Sequence, residues 1–521
     1  MMSSLYIGAT GMIALGEGMG TVSHNLSNLN TVGFKERLHL FEDLVSSSVN
    51  TPSNATGRGN VLPTSYSQQG HGSRTSAVIS RFYENGALEM GDRVTDLAIS
   101  GKGFFQVTGN DDKTFYTRAG NFAFTKEGEL INPGGLHLMG RRLDANGNPG
   151  NLEQIKLDPQ NDMYLAAKAS TKATIISNLG MTESKTTNAT DPYFSLALTY
   201  DANREPVMGN SGYSNGVSVY DSEGKKHDLT VNYDLVEKTS DGRKIVQYTV
   251  SIPPGEDGRA GFEGTDGAGL IMSGTMTFTS AGILQNMSAF TPTDGTNVHN
   301  LATWNSVAIG ADGVPMNMTF KNTDQSGNVT RPSQTVTLDM GLGFASPAGS
   351  VQAAAIGTNP DNLPGYTGAG NTLPANVGNE NRTVAYSGEV STINRGTDGY
   401  MEGWMRGMEI NPRGEMNILY DNGQSQPLYQ IPLFNFMGEQ DLKAEGGNLY
   451  SSTLGSGEAM EGVADEENFG KIVSTTLEMS NVDVGRQFTH MITNQRGFQF
   501  NSKVITTSDS MLQKALELKR A

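Results

Sequence analysis

The chain contains no cysteine. Disulfides, zinc–thiolate centres and cysteine nucleophiles are therefore excluded. That absence fits an extracellular protein stabilised by contacts between copies rather than by covalent staples. Long hydrophobic runs are missing too: no stretch approaches the roughly 20 apolar residues that cross a bilayer. The first basic residue is Lys35, and Gly8, Gly11, Gly16, Gly18 and Gly20 interrupt the early apolar residues. A cleaved signal peptide needs a positive start and an unbroken apolar core. The expectation is either residence in the cytoplasm or export by a route without a cleaved leader. Basic clusters are scarce, the densest being Arg141-Arg142. With 37 basic and 54 acidic residues the formal net charge is −17. Such a chain repels nucleic acid phosphates and anionic membrane surfaces, so neither is an expected partner. Self-association, if it occurs, must win through packed interfaces.

What is present is length and glycine. The 521 residues suit about two to four domains. Only 36% of residues are hydrophobic and 64 are glycine, a balance that suits turn-rich β structure.

The two ends carry a different pattern. Leu5, Met12, Met19 and Leu26 repeat every seven residues, and Leu15, Val22 and Leu29 fall on the companion apolar position, where Gly8 is the exception. Ser3 or Ser4 caps the start, and Asn28, Asn30 and Gly33 mark the end. Near the other terminus Val484, Met491, Phe498, Ile505 and Leu512 share the same spacing. Phe488 and Leu516 lie on its companion position, and Ser480 with Asp483 resembles a capping box. Matched seams at both extremes predict a pair of helices in a coiled coil. Each interior glycine costs a helix roughly 0.8–1 kcal/mol. Five of them cost the N-terminal helix on the order of 4–5 kcal/mol, so it is expected to form only when packed by neighbours. Glycine would also let helices approach closely.

Residues 36–80 read as a linker with a little local structure, centred on the polar run Ser46–Asn54. From about residue 82 the pattern turns to β. Phe122 and Phe124 alternate, Lys126-Glu127-Gly128 turns, and Leu130 restarts a strand. Leu229, Val231, Tyr233 and Leu235 alternate, as do Val246, Tyr248, Val250 and Ile252, and Val336, Leu338 and Met340. This predicts antiparallel strands with one wet face. Asp221–Gly224 and Asp421–Gly423 supply turns. Residues 253–275 and 341–385 read as loops. The fold class is multi-domain and mainly β, with terminal helices.

No motif supports catalysis. The seven histidines show no ligand spacing and read as surface or strand residues. Asp144–Asn148 opens like a calcium loop, but Ile155 stands where a bidentate Glu belongs. Gly16–Gly20 lies inside the heptad and follows no strand, and Gly101-Lys102-Gly103 completes no phosphate loop. No GxSxG elbow is present, though a triad assembled in space leaves no sequence trace. No cofactor, metal or catalytic residue is expected, and a structural role is.

The ends carry a more specific signature. Asn25-Leu-Ser-Asn28-Leu-Asn30-Thr31-Val-Gly33-Phe34-Lys35 resembles the N-terminal motif of the flagellar axial family of rod, hook and hook-junction proteins. Leu477-Glu-Met-Ser480-Asn481-Val-Asp483, with Gln495-Arg496-Gly497-Phe498-Gln499 and Val504–Thr507, is similar to the C-terminal motif of its hook and distal rod members. Asp96–Phe105 and Tyr116–Phe122 resemble the family's inner β domain, as do Leu428–Phe436 and Asn448–Tyr450. Val219–Gly224 with His227–Val231 looks like a strand pair of hook proteins.

The resemblance implies residues 1–35 with 476–521 as paired helices lining a channel, and 36–70 with 461–475 as linkers. It implies an inner β domain at 71–175 with 386–460, and an outer inserted region at 176–385, as one large or two small domains. It implies a hook subunit, exported unfolded by the flagellar type III apparatus and assembled under a hook cap between the rod and the hook-junction proteins. A distal rod or hook-junction protein is the alternative. The residues expected at the assembly interface are Leu5, Met12, Leu15, Met19, Val22, Leu26, Val484, Phe488, Met491, Phe498, Ile505 and Leu512.

Overall fold

A computed structural model describes residues 2–44, 47–50, 66–109, 111, 113–144, 147–209, 211–240, 242–310, 312–323, 327–341, 353–359, 362–363, 382–466 and 468–520. The chain forms two compact units, Met1–Met163 with Met405–Ala521, and Tyr164–Trp404. The second is inserted into the first, so the β structure is nested.

In the first unit the two ends are helical, Met2–Ser27 and Val484–Arg520, and they pack together. The C-terminal helix starts on Asp483, whose Oδ1 accepts the Arg486 N–H at 2.9 Å. Asp483 is thus the N-cap itself rather than the far member of a box opened by Ser480. Residues 36–80, read as a linker, contain two long paired strands, Arg37–Asp43 and Ser73–Ser80. Ser47–Asn50 pairs with Tyr66–Gln69, whereas Ser46 and residues 51–54 of the polar run lie outside the described residues. The long strands carry apolar residues of their own, Leu38, Leu40, Val78 and Ile79, and it was the polar run between them that suggested a linker.

The main sheet of this unit runs in the order Gly403–Ile410, Glu415–Tyr420, Ser425–Gln430, His137–Leu143, Phe105–Thr108, Thr114–Thr117, Leu449–Ser451 and Lys443–Gly446. A cluster of Phe82, Phe104, Tyr116, Phe434, Phe436 and Tyr450 packs largely edge to face beside it. The stretch 461–475, also read as a linker, carries strand Lys471–Ser474, which pairs with Leu97–Ser100. The expected turns at Gly128 and Gly423 are present, each glycine donating its N–H three residues back. Asp144 and Asn148 bond to each other, with the Asn148 N–H on Asp144 Oδ1 at 2.8 Å, while residues 145 and 146 of the calcium-like run lie outside the described residues.

The inserted unit packs a seven-stranded sheet against a four-stranded one. The larger sheet is built on Tyr213–Tyr220, Lys226–Lys238, Lys244–Ser251 and Leu270–Phe278, all antiparallel. In the smaller, Lys172–Asn178 pairs in parallel with Ser333–Asp339, a departure from the antiparallel expectation. The long stretch between those strands provides the crossover that parallel pairing requires. The alternating residues Leu229, Val231, Tyr233, Val246, Tyr248, Val250, Val336 and Leu338 meet in one core.

The expected wet face is not wet at the centre of the large sheet. Tyr193, Phe194, Leu196, Tyr200, Phe290 and Trp304 form a second core on Ile245 and Leu270. Polar residues on that face are buried by bonding: Gln247 Oε1 accepts the Leu196 N–H at 2.8 Å. Alternation therefore reported the side facing the first core and gave no warning of the second. Residues 253–275 are not all loop either, since all nine residues of Leu270–Phe278 are buried. Gly274 within it brings that strand close, because a Cβ there would strike the Ser288 carbonyl oxygen. The proposed loop at 341–385 lies mostly outside the described residues.

Candidate functional site: the seam and clamp of the chain ends

The helix pair is antiparallel, and its register is legible from close approaches. Gly11 lies against Asn501, Leu15 against Gly497, and Gly18 against Asn494. Asn25 continues the series, donating to Gln487 Oε1 at 3.1 Å. Gln487, Asn494 and Asn501 are themselves spaced by seven. Along this seam Gly11 and Gly18 face amides, Leu15 packs on Gly497, and Gly8 faces Ile505. A Cβ on Gly11 would sit 2.7 Å from Asn501 Nδ2, and one on Gly8 3.0 Å from Ile505 Cγ1. Gly16 and Gly20 differ, with nothing within 4 Å of an added Cβ.

The apolar heptad runs along this seam. Val22 is buried, whereas Leu5, Met12, Leu15, Met19 and Leu26 are half-buried. On the C-terminal helix Val484, Met491, Ile505 and Leu512 are half-buried, Phe498 is 39% exposed and Phe488 is 51% exposed. Ile492, Phe500 and Met511 are also exposed.

The motif residues converge where the ends enter the β structure. Asn25 is buried and brackets residue 37: its Nδ2 donates to the Arg37 carbonyl at 2.8 Å and its Oδ1 accepts the Arg37 N–H at 2.9 Å. One side chain so mimics a strand partner and folds the chain back along the helix. Asn28 and Thr31 bond each other after the last helical turn, Asn28 Nδ2 reaching the His24 carbonyl. Asn30 is exposed. Gly33 has φ 69°, and its N–H donates to the Glu478 carbonyl at 2.7 Å. A Cβ there would lie 2.5 Å from the Ala119 nitrogen, so both conformation and space demand glycine. Phe34 is buried with its ring edge-on to His24.

Lys35 is fully buried and donates from Nζ to Glu478 Oε1 at 2.6 Å and to the Glu84 carbonyl at 2.8 Å. Glu478 Oε1 also accepts the Gly86 N–H. Arg118, equally buried, places Nη1 3.7 Å from Glu478 Oε2 and donates to the Gly101 carbonyl at 2.9 Å. Two cations thus share one carboxylate out of water. Burial, and then the Arg118 charge, lower the Lys35 amine to about 8, with Glu478 opposing both. Burial likewise lowers Arg118, opposed first by Glu478. Asn481 ties the second end: its Oδ1 accepts the Glu36 N–H at 2.6 Å and its Nδ2 donates to the Arg81 and Glu84 carbonyls. Gln487 donates to Glu36 Oε1 at 2.7 Å, and Arg81 pairs with Glu36 Oε2 at 3.1 Å.

Of the motif residues, Asn25, Lys35 and Asn481 enter the clamp itself, Gly33 its backbone, and Asp483 the helix cap. Gly497 sits on Leu15 along the seam, and Arg496 is exposed. The sequence reading did not single out Glu36, Arg81, Arg118, Glu478 or Gln487. A signal existed for Glu478 and Arg118, which stand inside the quoted motifs. A lysine so close to the apolar Phe34 needed a carboxylate, but distance in sequence hid which one.

Nothing here resembles a catalytic constellation. Among the described residues no three His, Asp or Glu side chains gather to hold a metal ion. His227, in a strand of the inserted unit, is buried between Glu256 at 2.7 Å and Asp221 at 3.1 Å, stacked on Phe320. It fastens a turn. Among the described residues no helix is long and apolar enough to cross a membrane.

The clamp thus knots both chain ends together around buried charge. The description "Flagellar basal body rod FlgEFG protein C-terminal" matches residues 473–518, covering the second half of the clamp and its helix. "Flagellar hook protein FlgE/F/G D1 domain" matches 98–180, and "Flagellar basal body protein FlaE D2 domain" matches 187–400. The class is that of the structural proteins of the flagellar hook and basal body.

The flagellar hook protein FlgE of Treponema pallidum is 30% identical over 533 residues, covering all of both chains. That of Borreliella burgdorferi is 28% identical, again over all of both chains. A crystal structure of Helicobacter pylori flagellar hook protein FlgE2 aligns with TM-score 0.42 and 15% identity, covering 75% of this chain and 100% of that one. The chain belongs to the flagellar hook protein FlgE family, as a structural subunit of the hook. It is part of the flagellum outside the cell.

Proposed function

We propose that this subunit polymerises into a hollow, flexible tube that acts as a universal joint, passing torque from rod to filament. Residues 1–35 and 476–521 form the coiled-coil layer that lines the channel, and 36–70 with 461–475, which carry paired strands of their own, join that layer to the β structure. The regions 71–175 with 386–460 and 176–385 are successive β layers. The subunit is exported unfolded by the type III apparatus without cleavage, assembles under the hook cap, and meets the rod and the hook-junction proteins at its two ends. Its work is mechanical and needs no catalytic residue.

One observation carries the reading. Beside the packed seam, the C-terminal helix leaves Phe488, Ile492, Phe500 and Met511 exposed. An apolar row on a helix of a chain with net charge −17 is a surface for other copies. Burying one large aliphatic side chain contributes about 1.5–3 kcal/mol, so several per subunit offset the ordering of a glycine-rich helix. The interface then includes Leu5, Met12, Leu15, Met19, Val22, Leu26, Val484, Phe488, Met491, Phe498, Ile505 and Leu512.

Met19→Asp and Phe498→Asp test it. Electron microscopy is expected to show no tubes from either variant, while circular dichroism keeps the β signal. Normal tubes from both would overturn the interface.

A further inference from the structure

A groove of about 520 Å³ opens at the foot of the N-terminal helix, lined by residues that include His24, Asn28, Thr31, Arg37, Asn132 and Asn448. No carboxylate lines it. Arg37 is the one arginine or lysine on the wall. Its backbone is held on both sides by Asn25, so its position is fixed. Its guanidinium has no ion pair among the described residues, whereas the clamp cations Arg81 and Arg118 each have a carboxylate.

The rim is rigid. Gly446, Gly447 and Asn448 run in succession through the left-handed region at φ 96°, 58° and 60°, and Asn448 Nδ2 donates to the Val32 carbonyl at 2.7 Å. A lone cation on an anchored backbone, in a groove without carboxylates, is suited to an anion. In a chain this acidic, whose copies assemble, the abundant anion is the carboxylate of another subunit.

We propose that this groove receives an acidic segment of a second copy, with Arg37 as the charge that recognises it. The inference rests on the polymer reading above. It adds a directional contact: the apolar rows supply adhesion, and this charge pairing sets the register between neighbours. Like charges dominate the surface, so a single well-placed opposite charge discriminates strongly between correct and shifted docking.

Arg37→Glu and Arg37→Lys test it in the full-length chain. Arg37→Glu is expected to raise the critical concentration for tube formation by roughly tenfold or more. Arg37→Lys keeps the charge but loses the planar fork, so it should fall between the two. The introduced amine also gives a direct readout. Carbodiimide should couple it, in polymers, to an Asp or Glu of another copy, which mass spectrometry of mixed isotope-labelled and unlabelled subunits distinguishes from coupling within one chain. If tubes form and no coupling between copies is found, the groove proposal fails. Coupling to a carboxylate of the same chain would also overturn it. If the unmodified chain forms no tubes at all, the polymer reading fails instead.

Discussion

The inserted unit and the paired chain ends bury their side chains by opposite rules. The inserted unit closes two apolar cores, one on each side of its large sheet, and strand Leu270–Phe278 between them is buried throughout. The ends place Gly11 and Gly18 against amides along their seam and leave large apolar side chains on the surface. The first arrangement is self-sufficient, because burial is the main favourable term in folding and it is complete within one chain. The second is less complete: most stability of a helix comes from packing an amphipathic face, and here the heptad residues other than Val22 stay half-buried or exposed although the two helices pack together.

The comparison breaks most readily at the clamp and the second core. Glu478→Ala leaves Lys35 and Arg118 buried without their carboxylate, a loss of about 3–5 kcal/mol. Trp304→Ala empties a fully buried site in the inserted unit, also costing about 3–5 kcal/mol. Calorimetry of the full chain should show each variant lowering a different unfolding transition, the first that of the unit holding the ends. If both variants moved one common transition equally, the two units would not be energetically distinct.

A smaller effect separates the two kinds of helical glycine. Gly16→Ala meets nothing within 4 Å, so the isolated subunit should gain about 0.8–1 kcal/mol of helix stability. Gly11→Ala meets Asn501 Nδ2 at 2.7 Å, and the displaced amide should cancel that gain. Helicity by circular dichroism checks the difference. If Gly16 faces a neighbouring copy, its substitution should also weaken tube formation while it strengthens the free helix.

The smallest expected effect is a pH slope. The Lys35 amine is lowered from 10.5 to about 8 in the fold, so between those values the unfolded chain binds the extra proton. Stability contributed by this group therefore rises with pH across that window. Lys35→Met should flatten that rise in denaturant midpoints measured from about pH 8 to 10. An unchanged slope would remove Lys35 as its source.

Much of the outline was legible in sequence because it depends on local periodicity. Leu229, Val231 and Tyr233 alternate, and that alone assigns them to one buried face. Met12 and Met19 keep step with a helix. The clamp was only half legible. Asn25, Lys35 and Asn481 stood in a recognisable motif, while Glu36, which donates its N–H to Asn481 Oδ1, carried no pattern. Gln487, Asn494 and Asn501 do repeat by seven, but polar residues at that spacing read as a solvated face unless glycine is known to oppose them. The hairpin at 37–80 was missed because the polar run between its strands suggested a linker, and the strand at 270–278 because two-sided burial leaves little mark on side-chain alternation.

Sequence by itself therefore determined the class of each region: helical ends, a β middle, an acidic surface and no covalent staples. These follow from residue chemistry and from repeats within a few turns of chain. Tertiary structure alone decided which stripe of each helix faces its partner, and that Lys35, Arg118 and Glu478 share one buried site. Those choices compare free energies of packing between residues up to hundreds of positions apart, and no short window of sequence contains both sides of that comparison.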